Sequence, residues 1–470
     1  MDVISYDIPS EVLQKIAAEQ AFHYRIVPFA EEAGALVLLT DSQSQEDLLA
    51  ELKIILDMPI SLRPCGPEVM TKLLTANYRV ANTSQIGQLG YSNDFLEKIL
   101  YNAKLLGSSD IHFEPYEDSC RIRYRLDGKL LEQYRIPLSD YPTMINKVKI
   151  RANLDIAEKR LPQDGRITIK NGADEFDLRV SSLPTLFGEK LVLRILSRDS
   201  GTLQLEQLGF SKTELKSFLS GIQRPNGIVL ISGPTGSGKT TTLYAALKLL
   251  NKAETNILTI EDPIEYTLQG VNQVQLKENI GLDFATALRT FLRQDPDIIM
   301  VGEIRDAKTA NMAIRAALTG HLVLSTIHTN SAWGTISRLI DMDIPPFLIT
   351  STLNMSVAQR LVRKLCDHCK TKVDIHSDDL SGQLDLPADL THHYQAVGCQ
   401  HCHQTGYKGR KAIYEILPVT KTLEEAVKNN NLDIDRYIKD HNIASLRTNA
   451  IQLVKDGVTS LVEVYPLLMH

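Results

Sequence analysis

The sequence is poor in the features that would place a chain outside the cell or inside a bilayer. Cysteine is scarce, with 6 in 470 residues, too few for a disulfide scaffold at this length. No apolar run approaches the ~18 residues that span a membrane. The opening Met1-Asp2-Val3-Ile4-Ser5-Tyr6-Asp7 is acidic and lacks the basic and apolar regions of a signal peptide. A cytoplasmic chain is therefore expected, with any membrane role peripheral. Positive charge is not in excess: 51 Lys and Arg against 57 Asp and Glu give −6, which weighs against attachment to nucleic acid by bulk charge. Aromatic residues are only 6%, and no aromatic–basic stripe suited to stacking single strands is visible, so no nucleic-acid partner is expected. What remains is an ordinary globular balance, 43% apolar and 23% charged, on a length suited to about three domains.

The patterning predicts a multidomain α/β chain. Residues 1–80 mix a helical face at 11–19, a buried strand at 35–39 and a second helix at 47–56 stopped by Pro59. The stretch 81–90 is polar and glycine-containing and reads as a linker. Residues 91–204 read as a second α/β domain, with a helix at 95–106 followed by short strands separated by turn signals such as Asp127-Gly128. In 205–365, apolar strands at 227–232, 256–260, 297–301 and 321–326 alternate with helices. Strands apolar on both faces imply a mainly parallel sheet covered by helices. A cysteine-bearing insertion, 366–405, and a helical region, 406–470, follow.

The strongest chemical signal is Gly233-Pro234-Thr235-Gly236-Ser237-Gly238-Lys239-Thr240. It fits Gly-x-x-x-x-Gly-Lys-Ser/Thr in full and lies between an apolar strand and a helix. Glycines let backbone N–H groups turn inward around phosphate, and the helix N-terminus adds partial positive charge. Lys239 is expected to reach the β- and γ-phosphates and Thr240 to bind Mg²⁺. A second apolar strand ends in Gly302-Glu303, where a carboxylate could orient or deprotonate an attacking water. Glu261-Asp262-Pro263-Ile264-Glu265 closes another strand; these acids could hold Mg²⁺ through water, polarise the nucleophile, or simply form a solvated loop. His321 and His328 bracket a fourth strand, and the polar tract 325–330 could sense a γ-phosphate.

Two Cys-x-x-Cys pairs, Cys366/Cys369 and Cys399/Cys402, supply four thiolates suited to tetrahedral zinc. Redox chemistry is the rival, but it needs only one pair. Arg121, Arg123 and Arg125 alternate along one strand and so share a face, with Arg166, Arg179 and Arg194 on neighbouring strands. They could clamp phosphate, although periodicity alone favours surface ion pairs.

With these residues laid out, the sequence resembles the ATPases of the type II secretion and type IV pilus assembly superfamily from about residue 91 to the C-terminus. The likeness rests on Ser109-Asp110-Ile111-His112-Phe113-Glu114-Pro115, Leu161-Pro162-Gln163-Asp164-Gly165-Arg166, the phosphate loop, Glu261 to Glu265, Val301-Gly302-Glu303-Ile304-Arg305-Asp306, Thr319-Gly320-His321 and Ser325-Thr326-Ile327-His328-Thr329-Asn330. The resemblance implies a RecA-like core preceded by a PAS-like domain. It implies a nucleotide-binding Walker A motif at 233–240 with Thr241 beside it. Glu261 and Glu265 fall in the family's acidic box, Glu303 in Walker B, and His321 and His328 in its histidine box. Arg166 and Arg179 match arginines offered to bound nucleotide. It further implies a Mg²⁺-dependent ATPase, a homohexamer, a structural zinc of the kind found in assembly rather than retraction motors, and docking through residues 1–80 onto an inner-membrane platform protein. A type II secretion motor is the leading expectation, a pilus assembly motor the alternative and a nucleic-acid translocase the more distant one. No Arg-Leu-Gly motif of the cyclic-di-GMP-binding relatives lies near residues 1–28, so that ligand is not expected.

Overall fold

Three mainly apolar segments, Gly227–Ser232, Ile298–Val301 and Leu322–Ile327, are buried along their whole length and form the middle of the largest sheet. The protein was studied as a computed structural model, which describes 95–171, 174–196, 204–375, 386–387, 389–428 and 434–469, together with much of 10–74. The expected linker at 81–90 lies outside the described residues, as do parts of the expected helices at 11–19 and 47–56. Contacts divide the chain into two compact units, the second of which (166–179, 194–396 and 406–470) carries the largest sheet.

The N-terminal sheet has three strands: β1 (Ile26–Glu32), β2 (Ala35–Thr40) and β3 (Ile60–Pro64). β2 runs antiparallel to β1 and parallel to β3, and the expected strand at 35–39 is β2. A six-stranded sheet follows, built from β4 (Asp110–Pro115), β5 (Cys120–Leu126), β6 (Lys129–Ile136), β7 (Gln163–Asn171), β8 (Asp174–Thr185) and β9 (Gly188–Leu196) in the order β6-β5-β4-β9-β8-β7. β5 and β6 are joined by Asp127 and Gly128, both with positive φ (46° and 87°), which is the two-residue hairpin that an Asp-Gly pair favours. The helix Phe95–Leu105 buries Phe95, Leu96, Ile99, Leu100 and Ala103, one face at helical spacing.

The largest sheet contains β10 (Gly227–Ser232), β11 (Ile257–Glu261), β12 (Asn272–Gln275), β13 (Ile298–Val301), β14 (Leu322–Ile327), β15 (Leu353–Leu365) and β18 (Tyr407–Pro418), ordered β12-β11-β13-β14-β10-β15-β18. Every pairing is parallel except β15 with β18. Alternate residues of β10 enter opposite cores: Ile228 and Leu230 on one side, Val229 and Ile231 on the other. The mainly parallel, helix-covered sheet expected for 205–365 is present.

The sheet extends beyond the expected boundary. Residues 406–470 were expected to be helical, yet they open with β18. The charged first half of β18 (Tyr407 to Lys411) alternates partly exposed residues along a ribbon, and only Ala412 to Leu417 is buried, so its strand signal is short. The helices Lys421–Lys428, Ile434–Asp440, Leu446–Lys455 and Leu461–Leu468 then follow. Between β15 and β18 lies a small antiparallel pair, β16 (Thr371–Asp374) and β17 (His392–Gln395).

Candidate active site

Parallel strands deliver all their C-terminal ends to one edge of the sheet, where ligands collect in such folds. At that edge β10 leaves Ser232 and enters the loop 233–238, and the helix Lys239–Leu250 begins directly after it. Gly233, Gly236 and Gly238 have φ of 148°, 81° and 88°, conformations that side chains resist. Space is also short: a Cβ on Gly233 would come within 2.5 Å of the Gln359 carbonyl and 2.7 Å of Ser237 Oγ. Lys239 Nζ donates to the carbonyls of Gly233 (2.8 Å) and Pro234 (3.1 Å). Burial lowers the Lys239 pKa; the nearby Glu303 charge opposes the shift and Arg360 adds to it. Among the described residues the buried Ser237 hydroxyl has no hydrogen-bond partner. Thr240 and Thr241 occupy the first turn of the helix, Thr240 exposed.

β13 and β14 complete this edge. Glu303 follows β13 through Gly302 and sits 3.2 Å, Oε2 to Nε2, from His328, which follows β14. Its other oxygen accepts from Arg305, and Arg305 also lies 3.5 Å from Asp262. Burial pushes the Glu303 pKa up, but the Arg305 hydrogen bond and the charges of Arg305 and His328 outweigh it and hold the carboxyl below its usual range. The hydroxyls of Ser325 and Thr326 donate to the carbonyls of Val301 and Gly302, both at 2.7 Å, which fixes the turn carrying Glu303.

The remaining expected residues divide. Glu261 is buried, and its carboxylate accepts from Tyr244, from Thr259 at 2.7 Å and from Gln273 at 3.0 Å. Its oxygens tie the phosphate-loop helix to β11. Glu265 lies 3.8 Å from Arg179, whose guanidinium also donates to the Ile264 carbonyl. Arg166 pairs with Asp177 at 2.8 Å across β7 and β8. Arg121 and Arg123 both bind buried Glu114, at 3.1 and 2.7 Å, and Arg125 binds Asp110, the ion-pair reading of that stripe.

His321 and His328 bracket β14 as expected, and this sets His321 apart from the glutamate edge. It precedes β14, and its carbonyl accepts from Gly227 at the start of β10. At ~3.3 Å per residue, the six steps from His321 to the end of β14 put it about 20 Å from the glutamate edge. Its ring bonds the Ala316 carbonyl (2.8 Å) and Thr319 (3.1 Å), closing the helix Ala307–Leu318.

Sequence reasoning overlooked Gln359 and Arg360 of β15. Gln359 accepts from Thr242 at 2.9 Å, and its amide nitrogen would meet a Cβ on Gly238 at 2.9 Å. A polar Gln-Arg pair directly after the run Val357-Ala358 was the available signal. The four Sγ atoms of Cys366, Cys369, Cys399 and Cys402 lie within 4.8 Å of one another. A thiolate tetrahedron with Zn–S of ~2.3 Å has S···S near 3.8 Å; the Cys399–Cys402 separation is 3.7 Å.

A family model described as Type II/IV secretion system protein matches residues 88–466. A MshEN domain model matches residues 1–83. The chain belongs to the type II/IV secretion system protein family. It is 50% identical over 372 residues to the type IV pilus assembly ATPase PilB of Myxococcus xanthus, covering 78% of this chain and 66% of that protein. The chain thus spans just under two thirds of this relative's length. It is 40% identical to the type II secretion system protein E of Aeromonas hydrophila, with 93% of each chain covered. Among solved structures, the Legionella pneumophila ATPase DotB superposes with a TM-score of 0.61 at 22% identity, covering 81% of this chain and 97% of that one. The pilus retraction motor PilT with bound ADP gives 0.53 at 26% identity, covering 78% and 95%. The fold is thus that of the RecA-like secretion ATPases.

Proposed function

We propose that this chain is the ATP-hydrolysing motor of a type II secretion system, acting as a homohexamer on the cytoplasmic face of the inner membrane. The observation that carries the reading is the shared edge at which the glycine loop of β10 and the Glu303–His328 pair after β13 and β14 meet. Lys239 exchanges its loop carbonyls for β- and γ-phosphate oxygens. Glu303, kept ionised by Arg305 and His328, takes the proton of the attacking water. Thr240 and the acids near Glu265 would hold Mg²⁺, which supplies charge neutralisation on the phosphates. Arg166 and Arg179, from a PAS-like domain at 91–204, answer to bound nucleotide. Residues 1–80 dock on a membrane-platform protein, 205–365 form the catalytic core, and 366–405 form an insertion whose four thiolates hold structural zinc. Among the described residues no helix is long and apolar enough to cross a membrane, in keeping with peripheral attachment.

End-to-end similarity to the type II secretion protein E supports the secretion assignment. The higher identity to PilB supports pilus assembly as the second reading. Phosphate release by the purified full chain, with and without Mg²⁺, tests the activity: Lys239→Ala is expected to abolish turnover without lowering the melting temperature. Equal rates in wild type and Lys239→Ala would overturn it.

A further inference from the structure

β15 pairs with β10 only as far as Ser232 opposite Ala358. Past that point β10 becomes the glycine loop while β15 runs on, so Gln359, Arg360 and Leu361 flank the loop. A Cβ on Gly233 would lie 3.1 Å from Arg360 Nη1, and one on Gly238 would lie 3.6 Å from Leu361 Cδ1. Gly233 is also the residue whose carbonyl holds Lys239. Two cationic side chains therefore border the first residue of the loop.

The setting of Arg360 is unusual for a structural arginine. Its Nη1 donates to its neighbour Gln359's carbonyl at 3.0 Å and its Nη2 to the Asn330 carbonyl at 2.8 Å. Among the described residues no carboxylate lies in ion-pair contact with it, whereas Arg166, Arg179, Arg305 and Arg363 each have one. Burial lowers its pKa, and the buried Glu415 charge only partly compensates. A guanidinium has five N–H donors; bonds to two carbonyls set its plane and leave donors beside the loop. A half-buried cation without a touching anion is costly unless a ligand supplies the negative charge.

We infer that Arg360 is a second phosphate-contacting cation of this site, recognising the terminal phosphate of a nucleoside triphosphate from within the same chain. The assignment rests on the ATPase reading above and names a residue that reading does not use. Because Arg360 also grips Asn330, two residues beyond His328, it links the phosphate to the segment that positions Glu303's partner. ADP lacks the terminal phosphate and makes no such bond.

The test is equilibrium binding of ADP and of a non-hydrolysable ATP analogue, with Mg²⁺, to the full chain and to Arg360→Ala and Arg360→Lys, each with its melting temperature. Loss of a charge-assisted bond predicts that Arg360→Ala weakens the triphosphate by about tenfold or more relative to ADP. Arg360→Lys keeps the charge and the stem, guards against misfolding, and should restore part of the difference. Equal weakening of both nucleotides, or none, in a folded variant overturns the assignment alone. Wild-type protein that binds neither nucleotide overturns both the assignment and the ATPase reading.

Discussion

The two ends of the largest sheet use the same residue types for opposite purposes. At the C-terminal edge, Arg305 and His328 both contact Glu303 and are themselves exposed. At the other end, His321 closes a helix, and Asp297 accepts from the Asn256 backbone at 2.7 Å to fix the start of β11. Glu261 shows that position at the right edge is not sufficient: three hydroxyl and amide donors from the protein itself already occupy most of its acceptor sites. Strand direction decides which residues can meet, and the donors already on a carboxylate decide which of them can react.

Four measurements would break or sharpen this contrast. Glu303→Gln is expected to lower turnover by about 10²–10⁴-fold with nucleotide affinity retained, measured by phosphate release and calorimetry. Glu261→Ala strands the Tyr244, Thr259 and Gln273 donors and should cost about 3 kcal/mol in denaturant titration; a fall in turnover at unchanged stability would instead move Glu261 into the chemistry. Arg305→Ala removes the main group holding the Glu303 pKa down, so the acid limb of the pH–rate profile should move to higher pH. The sign follows from linkage: with its pKa depressed, Glu303 stays ionised, and its ion pairs stay intact, until pH falls below the ordinary carboxylate range. His321→Ala should have the smallest effect, under about 1 kcal/mol of stability with turnover kept.

The glycine loop and Glu303 were legible in the sequence because each has a fixed place relative to an apolar strand, and parallel strands then bring them to one edge. The four cysteines were legible for a similar reason: β15 and β18 are antiparallel, with Leu365 opposite Tyr407, so the chain leaves and re-enters the sheet at one place. The sequence placed His321 and His328 at opposite ends of one strand, and β14 keeps them there; what it did not announce is the helix-closing bond of the His321 ring to the Ala316 carbonyl. Glu261 was ambiguous because its partners, Tyr244 and Gln273, come from a helix and an edge strand with no spacing rule to announce them. β12 was missed since Asn272-Gln273-Val274-Gln275 is polar and short, and Arg360 because its importance depends on where β10 stops.

The length of β15 has a mechanical meaning. Arg360 and Cys366 are six residues apart on nearly continuous extended chain, about 20 Å at the rise of a strand. Because neighbouring side chains point to opposite faces, sliding the ribbon by one residue would swing Arg360 away from the loop and present Leu361 in its stead. A clamp closed on Cys366 would therefore serve as a distant pin, setting the alignment of a guanidinium it never touches.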